Sequence, residues 1–421
     1  MSSVLRKIEK EIVSSKGAPD FLDVLLGDYK SEALNGEDVV LFGAGSLGQE
    51  LCVALNNHGV FPVCFCDTNQ AKNGTNICGL PVIDIEELCN THGNSLIVIA
   101  TKHHSQEVKY LLLKNGFSND RILCKEPDRK TYMAFVYANF ITQSYIKDIL
   151  VKHNHASMFS KLMADEIMLN NAYNIFSDLK SKELFITKLA LLASGGNFNI
   201  FDKFISSFSE PFQGFGFDND IAYPEDYYYF NNDVLPLAQH EIYVDVGAFD
   251  GDTIRTFVQA CDKNGISYSH ILAFEPDPQC YEALLNNTFS YPNVSCHQIG
   301  LWSETGTLQF KSSGIALHDQ AAAICHTGDV EIQVVSLDDF SQGTEVTFIK
   351  MDPGGNVIPD AIRGAARTIA KHRPKLAVGV YHAIESIYEI PLLVKDICSD
   401  YRLYLRHNTY HLCDTDLYAV V

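Results

Sequence analysis

Positive charge is scarce in this sequence. Lys and Arg total 32 against 52 Asp and Glu, a formal net charge of -20. Nucleic acid is therefore not the expected partner, because phosphate binding needs clustered Lys and Arg. Apolar runs of the ~20 residues that a membrane helix needs are also missing, so no membrane insertion is expected. The opening stretch MSSVLRKIEKEIVSSKG is amphipathic and charged, without the apolar core of a secretory signal. None of the 12 cysteines forms a Cys-x-x-Cys pair. Cys64 and Cys66 sit in an apolar run and read as buried thiols, and no metal site is expected. The protein is expected to be reduced and cytoplasmic. Short internal repeats, low-complexity tracts and long Pro/Gly linkers are absent as well.

What remains is a soluble globular composition, 46% hydrophobic and 20% charged. At 421 residues the chain is too long for one ordinary core. The expected class is α/β, with two doubly wound, mainly parallel Rossmann-like sheets joined by a helical region. Residues 1–36 read as a helical segment. Residues 37–127 alternate short apolar runs with a helix over Ser46–Asn57, whose Leu47, Leu51, Ala54 and Leu55 share a face. Residues 128–235 read as a helical connector ending in an aromatic loop with Tyr227, Tyr228, Tyr229 and Phe230, either packed on the next domain or part of a substrate wall. From 236 to 421 the alternation restarts, and the closely spaced last strands suggest antiparallel returns at one sheet edge.

The stretch Ile242–Phe257 carries the strongest chemical signal. A buried strand ends near Asp245, a loop with Gly247, Ala248 and Gly251 follows, and Asp252 or Thr253 can cap the next helix. Glycines let backbone approach a ligand, and the helix N-terminus offers free N–H groups. Glu275 ends the following strand, placed to accept hydrogen bonds from ribose hydroxyls. Asp277 then caps a helix that Pro278 begins.

These residues resemble the FkbM-type S-adenosylmethionine-dependent methyltransferases over about Tyr227–Val421. The matching stretches are the YYYF run, VDVGAFDGDT, AFEPDP, GLWSETGTLQF, VSLDDF, KMD, KLAVGVYHAIESIYEIP and YLRHNTY. The resemblance implies methyl transfer from S-adenosylmethionine to an oxygen of a small-molecule or glycan acceptor. It implies a cofactor site of Asp245, Gly247, Ala248, Gly251, Asp252, Thr253, Glu275, Pro276, Asp277 and Trp302. An oxygen acceptor benefits from a general base, and Asp352, His382 and His407 are the candidates at the sheet edge. Lys350, two residues before Asp352, is expected to share its face and pair with it. The family pattern Asp-x-Glu-Gly-x-Glu is not kept, since Asp352 is followed by Pro353-Gly354-Gly355-Asn356-Val357. That departure favours a second reading, a non-catalytic or regulatory binding protein that keeps the fold.

The N-terminal unit has its own fingerprint, Gly43-x-Gly45-x-x-Gly48, between a strand and a helix, with Asp67 at the end of the next strand. In that setting Gly43, Gly45, Ser46, Leu47, Gly48, Asp67 and Thr101 are candidates for holding a nucleotide or nucleotide-sugar, and the alternative is a glycine turn kept for packing. A dehydrogenase is disfavoured because residues 70–125 are too short to supply a substrate domain. Oligomeric state is left open, a homo-oligomer included.

Overall fold

The computed structural model describes residues 3–101, 104–124, 129–142, 155–208, 229–230, 234–311, 323–324, 330–354, 357–407 and 414–421. Tyr227, Tyr228, Gly355 and Asn356, singled out above, lie outside these residues. The chain forms two compact units, Glu9–Ser160 with Ala190–Ala222, and Met1–Ile8 with Lys161–Leu189 and Tyr223–Val421. Both are built on mainly parallel sheets, the α/β class that the alternating pattern implies. Among the described residues no helix is long and apolar enough to cross a membrane.

The first unit's sheet contains β1 (Val39–Phe42), β2 (Cys64–Cys66), β3 (Asn76–Ile77), β4 (Leu80–Ile83), β5 (Leu96–Ile99) and β6 (Ile122–Leu123), in the order β3-β4-β2-β1-β5-β6. Only the β3–β4 pair is antiparallel. The chain leaves β1 towards β2 and returns to add β5 on the other side, so the strand order reverses between β1 and β5. Cys64 and Cys66 are buried, and burial pushes the Cys64 thiol up to about 12, which makes it an inert core group.

The second unit's main sheet contains β7 (Glu241–Val246), β8 (Tyr268–Phe274), β9 (Val294–His297), β14 (Phe348–Met351), β15 (Lys375–Gly379), β16 (Arg402–His407) and β17 (Thr415–Val420), in the order β16-β17-β15-β14-β7-β8-β9. β17 runs antiparallel to both of its neighbours, as the spacing of the last apolar runs suggests. Here the order reverses between β7 and β14. A separate small sheet of β10 (Gly300–Leu301), β11 (Gly306–Lys311), β12 (Ala323–Ile324) and β13 (Val330–Val335) lies between β9 and β14 in sequence. The apolar run Glu331–Val335, which the sequence pattern alone would add to the main sheet, belongs to this small one.

The helical connector is not a body of its own. Its part within 161–189 covers the open edge of β16, which would otherwise expose a row of unpaired backbone groups. Ser177 N–H donates to the Leu403 carbonyl at 2.9 Å, Leu405 N–H donates to Ser181 Oγ at 2.9 Å, and Arg406 pairs with Asp178 at 2.8 Å. Its part within 190–208 packs in the first unit, where Phe140 stacks on Phe201 with centroids 4.8 Å apart and the Tyr137 hydroxyl donates to the Gly196 carbonyl at 2.7 Å. Periodicity marks these segments as helices but carries no information about which sheet each one covers.

Arg406 is 4% exposed, so its partner matters. Asp178→Ala is expected to lower the stability of the unit by about 1–2 kcal/mol, the range of a charge-assisted hydrogen bond whose acid is partly exposed. Thermal unfolding of the full chain measures this.

Candidate functional site

Ligands of open α/β sheets bind outside the carboxyl ends of the strands where the strand order reverses. In the second unit that place is the β7/β14 boundary. Register sets Lys350 of β14 opposite Asp245 of β7. Both are buried, Lys350 Nζ lies 3.1 Å from Asp245 Oδ1, and the same ammonium donates to the Gly247 carbonyl at 2.9 Å. Burial works to lower the Lys350 pKa, but Asp245, Asp352 and Asp252 outweigh it and hold the ammonium charged. Lys350 therefore pairs with Asp245 rather than with Asp352. The reason is that strand register, which sequence spacing does not contain, puts the neighbouring strand's acid nearer.

Beyond Asp245 the chain turns through Gly247 at φ 75, Phe249 at φ 48 and Gly251 at φ 89. A Cβ on Gly247 would lie 2.7 Å from Pro353 Cα and 2.9 Å from the Asp352 carbonyl oxygen, so only glycine lets this turn rest on the end of β14. Ala248 is fully buried. Helix Asp252–Asn264 has Gly251 at its N-cap, without a side-chain cap. Asp252 and Thr253 are thus not the cap, because the left-handed Gly251 takes that position. The Thr253 hydroxyl donates to Asp245 instead.

Glu275 follows β8 and is 7% exposed. One carboxylate oxygen accepts from Phe249 N–H at 3.0 Å and the other from Asp277 N–H at 2.9 Å. Among the described residues it has no ion pair, and burial pushes its pKa up to about 7 in spite of those two donors. Asp277 caps the helix Pro278–Thr288 as the sequence suggests, accepting from Gln279 and Cys280 N–H. Pro276 lies beside β10, near where a Cβ on Gly300 would be. Trp302 is not brought to the glycine turn, since it packs with Leu308 on Ile332 and Val334 of the small sheet. His297, the last residue of β9, stacks on Phe274 and leaves a buried Nε2 without a partner among the described residues. Its position next to Glu275 depends on strand pairing and could not be found from motifs.

Asp352 ends β14 with its carboxylate enclosed by three donors. The hydroxyls of Tyr229 and Tyr381 donate to Oδ2 at 3.1 and 2.9 Å, and His382 Nε2 lies 3.0 Å from Oδ1. Burial works to raise its pKa, but the hydrogen bond from His382, the charge of Lys350 and the Tyr381 hydrogen bond hold it below the ordinary carboxylate value. Gly379 on β15 leaves room for it, since a Cβ there would come within 2.5 Å of Oδ1. His407 does not join this cluster. It is buried on β16 with Nδ1 3.0 Å from Thr415 Oγ1, and Lys188 donates to the same hydroxyl at 2.6 Å.

The first unit repeats the plan at its own reversal, between β1 and β5. Gly43, at φ 118, packs against Ala100 and Thr101, and a Cβ on Gly48 would lie 1.9 Å from the Gly43 carbonyl oxygen. Both glycines are required by packing. Gly45 is different, since a Cβ there would meet nothing within 4 Å. Gly45 is the N-cap of the helix that Ser46 begins, and the Leu47 side chain is buried in that helix. Asp67 accepts from Ala44 N–H, Asn69 N–H and Lys72 Nζ, each at 2.9 Å. Burial alone would raise its pKa, but these donors outweigh it and hold it low, so Asp67 is already satisfied where a ribose acceptor was expected. The Thr101 hydroxyl is buried without a partner among the described residues.

Residues 245–412 match the family model of the methyltransferase FkbM domain. The structure is similar to that of the methyltransferase FkbM from Methylobacillus flagellatus KT, with a TM-score of 0.59 at 17% identity over 99% of both chains. It also resembles fibrillarin from Aeropyrum pernix, solved with natively bound S-adenosyl-L-methionine, at 13% identity and a TM-score of 0.28 over 44% of this chain and 69% of that one. No curated protein matches significantly. The residues that match this family model lie in the second unit, and the chain has a methyltransferase fold.

Removing one partner of the buried pair should be costly. Lys350→Met leaves Asp245 charged and enclosed, an expected loss of about 3–5 kcal/mol, and adding Asp245→Leu should recover part of it. Equal losses for the single and double variants in thermal unfolding would show that the pair is not what holds β7 to β14.

Proposed function

We propose, from the match of residues 245–412 to the methyltransferase FkbM domain, that this protein is an S-adenosylmethionine-dependent O-methyltransferase acting on a sugar-containing acceptor. The observation that carries this reading is Glu275, a buried carboxylate at the carboxyl end of β8 that is bonded to the N–H of Phe249 in the glycine turn after β7. A buried acid without an ion pair among the described residues suits a ligand that brings its own hydroxyl donors, and a ribose diol does so. When bound, S-adenosylmethionine supplies a methyl group on a sulfonium. Glu275 would hold the ribose, the turn from Gly247 to Gly251 would pass close to the ligand, and Asp352 with its two tyrosines would line the acceptor side. The net charge of -20 disfavours polyanionic acceptors, whereas hydroxyl-bearing ones suit a wall of tyrosine, histidine and carboxylate.

The competing reading is a binding protein that has lost transfer, favoured by the missing glutamates after Asp352. It predicts cofactor binding without methylated product from any of a panel of glycosides, and product from one of them would exclude it.

For the first unit, a nucleotide or nucleotide-sugar remains the proposed ligand on the strength of Gly45 alone, the one fingerprint glycine that packing does not explain. Asp67, held by Lys72, offers little to a ribose. Backbone and helix N-terminus would then make the contacts, with a diphosphate rather than the sugar hydroxyls as the feature recognised.

Two outcomes are expected. S-adenosylhomocysteine should bind the full chain in calorimetry, and Glu275→Ala should weaken it by about 1.5–3 kcal/mol, the range for hydrogen bonds to a charged group. Ligand hydroxyls favour the ionised carboxylate, whereas the ligand-free protein takes up a proton below about 7. Affinity should therefore fall as the pH drops through that value, and the dependence should vanish in Glu275→Gln. Separately, NAD or UDP-glucose should bind the wild type and not Gly45→Val, with S-adenosylhomocysteine affinity unchanged. Absence of binding by both nucleotides to the wild type would leave packing as the reason for the whole fingerprint.

A further inference from the structure

Asp352 ends the strand on which Gly247 rests and is the obvious base for an oxygen acceptor, yet its surroundings unfit it for taking a proton. Three of its hydrogen-bonding directions are already taken by the protein: two tyrosine hydroxyls on Oδ2 and the His382 ring on Oδ1. An ionised carboxylate only accepts, so the imidazole nitrogen facing it, Nε2, must carry a hydrogen. In the neutral ring the remaining nitrogen, Nδ1, then holds the lone pair, and it has no hydrogen-bond partner among the described residues. The ring itself is held firmly. It lies against Tyr381 with centroids 4.2 Å apart, and its side chain is 8% exposed.

We infer that His382 is the general base of methyl transfer, acting through Nδ1, and that Asp352 is a positioning residue that fixes the ring and its tautomer. This rests on the methyltransferase reading above. Proximity to the cofactor side comes through the backbone, since Gly247 packs directly on the Asp352–Pro353 peptide whose side chain holds the imidazole. The acceptor hydroxyl passes its proton to His382 Nδ1. Its oxygen forms the new bond to the methyl carbon as the carbon–sulfur bond breaks, with the electron pair left on sulfur as a neutral thioether. Asp352 stays ionised throughout and stabilises the imidazolium that forms. Tyr229 and Tyr381 donate to the same carboxylate, and Lys350 adds a buried positive charge beside it. The charges of Asp414, just before β17, and Asp416 within it also act on the Tyr381 hydroxyl and keep it protonated. Gly379 belongs to the same device, because a side chain there would displace the carboxylate.

The arrangement predicts a tautomer, which can be read without any acceptor. In nitrogen NMR of the full chain labelled at histidine, the ring signals lost in His382→Gln should show, in the neutral form of the ring, a protonated Nε2 and an unprotonated Nδ1. In Asp352→Leu that preference should disappear. A protonated Nδ1 in the wild type, or a tautomer indifferent to Asp352, overturns the inference. Calorimetry with S-adenosylhomocysteine separates this from the reading beneath it. The wild type and His382→Gln should bind alike, whereas a wild type that does not bind defeats the methyltransferase reading itself. With a glycoside that gives product, His382→Gln should lower kcat by about 10²–10⁴-fold with little change in the KM of the methyl donor. A variant that keeps the wild-type rate overturns the role.

Discussion

Lys350 and Asp245 face each other across β14 and β7 with almost no access to water, and the carboxyl end of the sheet is arranged around that contact. Neither charge is tolerable there alone. Their pairing fixes the register of two strands that are far apart in sequence, and the lysine's further bond to the Gly247 carbonyl fixes where the chain leaves β7. Gly247 then rests on the Asp352–Pro353 peptide. One ammonium group thus links the turn proposed to meet the methyl donor with the carboxylate that holds His382. The same charge helps keep Asp352 ionised, so the structural and chemical roles of this lysine cannot be separated.

The two units solve a similar problem with different endings. In each, the first strand leads into a glycine turn, and an acid at the end of the second strand accepts a backbone N–H from that turn and another from two residues further on. Asp67 does this for Ala44 and Asn69, and Glu275 for Phe249 and Asp277. Lys72 then completes Asp67 with a cation, while Glu275 has no ion pair among the described residues. The first acid is thereby settled as an ionised structural group. The second sits near its own protonation point, with capacity left for hydrogen bonds from outside.

Local signals in the sequence mark local objects well. The helix over Ser46–Asn57, the glycine turn after Asp245, the acid at Glu275 and the Asp277 cap are each determined by residues within a few positions of one another, and periodicity or motif marks them. What escapes is whatever depends on strand neighbours. Lys350 looks like a partner for Asp352 until β14 is known to lie beside β7. Tyr229 reads as one of an aromatic run, and Tyr381 as the end of an apolar strand, yet both hydroxyls meet on a carboxylate from a third segment. Trp302 and His407 carry the residue types of a binding site, but packing assigns one to a small sheet that the pattern does not distinguish and the other to a buried edge. The division of the connector is of the same kind, since nothing local tells residues 161–189 to cover β16.

The position of β17 has a consequence for how this sheet is assembled. β17 comes after β16 in sequence but lies inside it, between β15 and β16. During synthesis the growing sheet must therefore wait with the edge of β15 open until residues 415–420 have been made, because β16 has no direct pairing with β15. The helical segment that covers β16 is translated more than 200 residues before the strand it protects. Such long-range closure makes for slow folding and leaves an unpaired strand exposed in the meantime. The nascent second unit is consequently most open to aggregation or chaperone capture in the interval before its last strand appears.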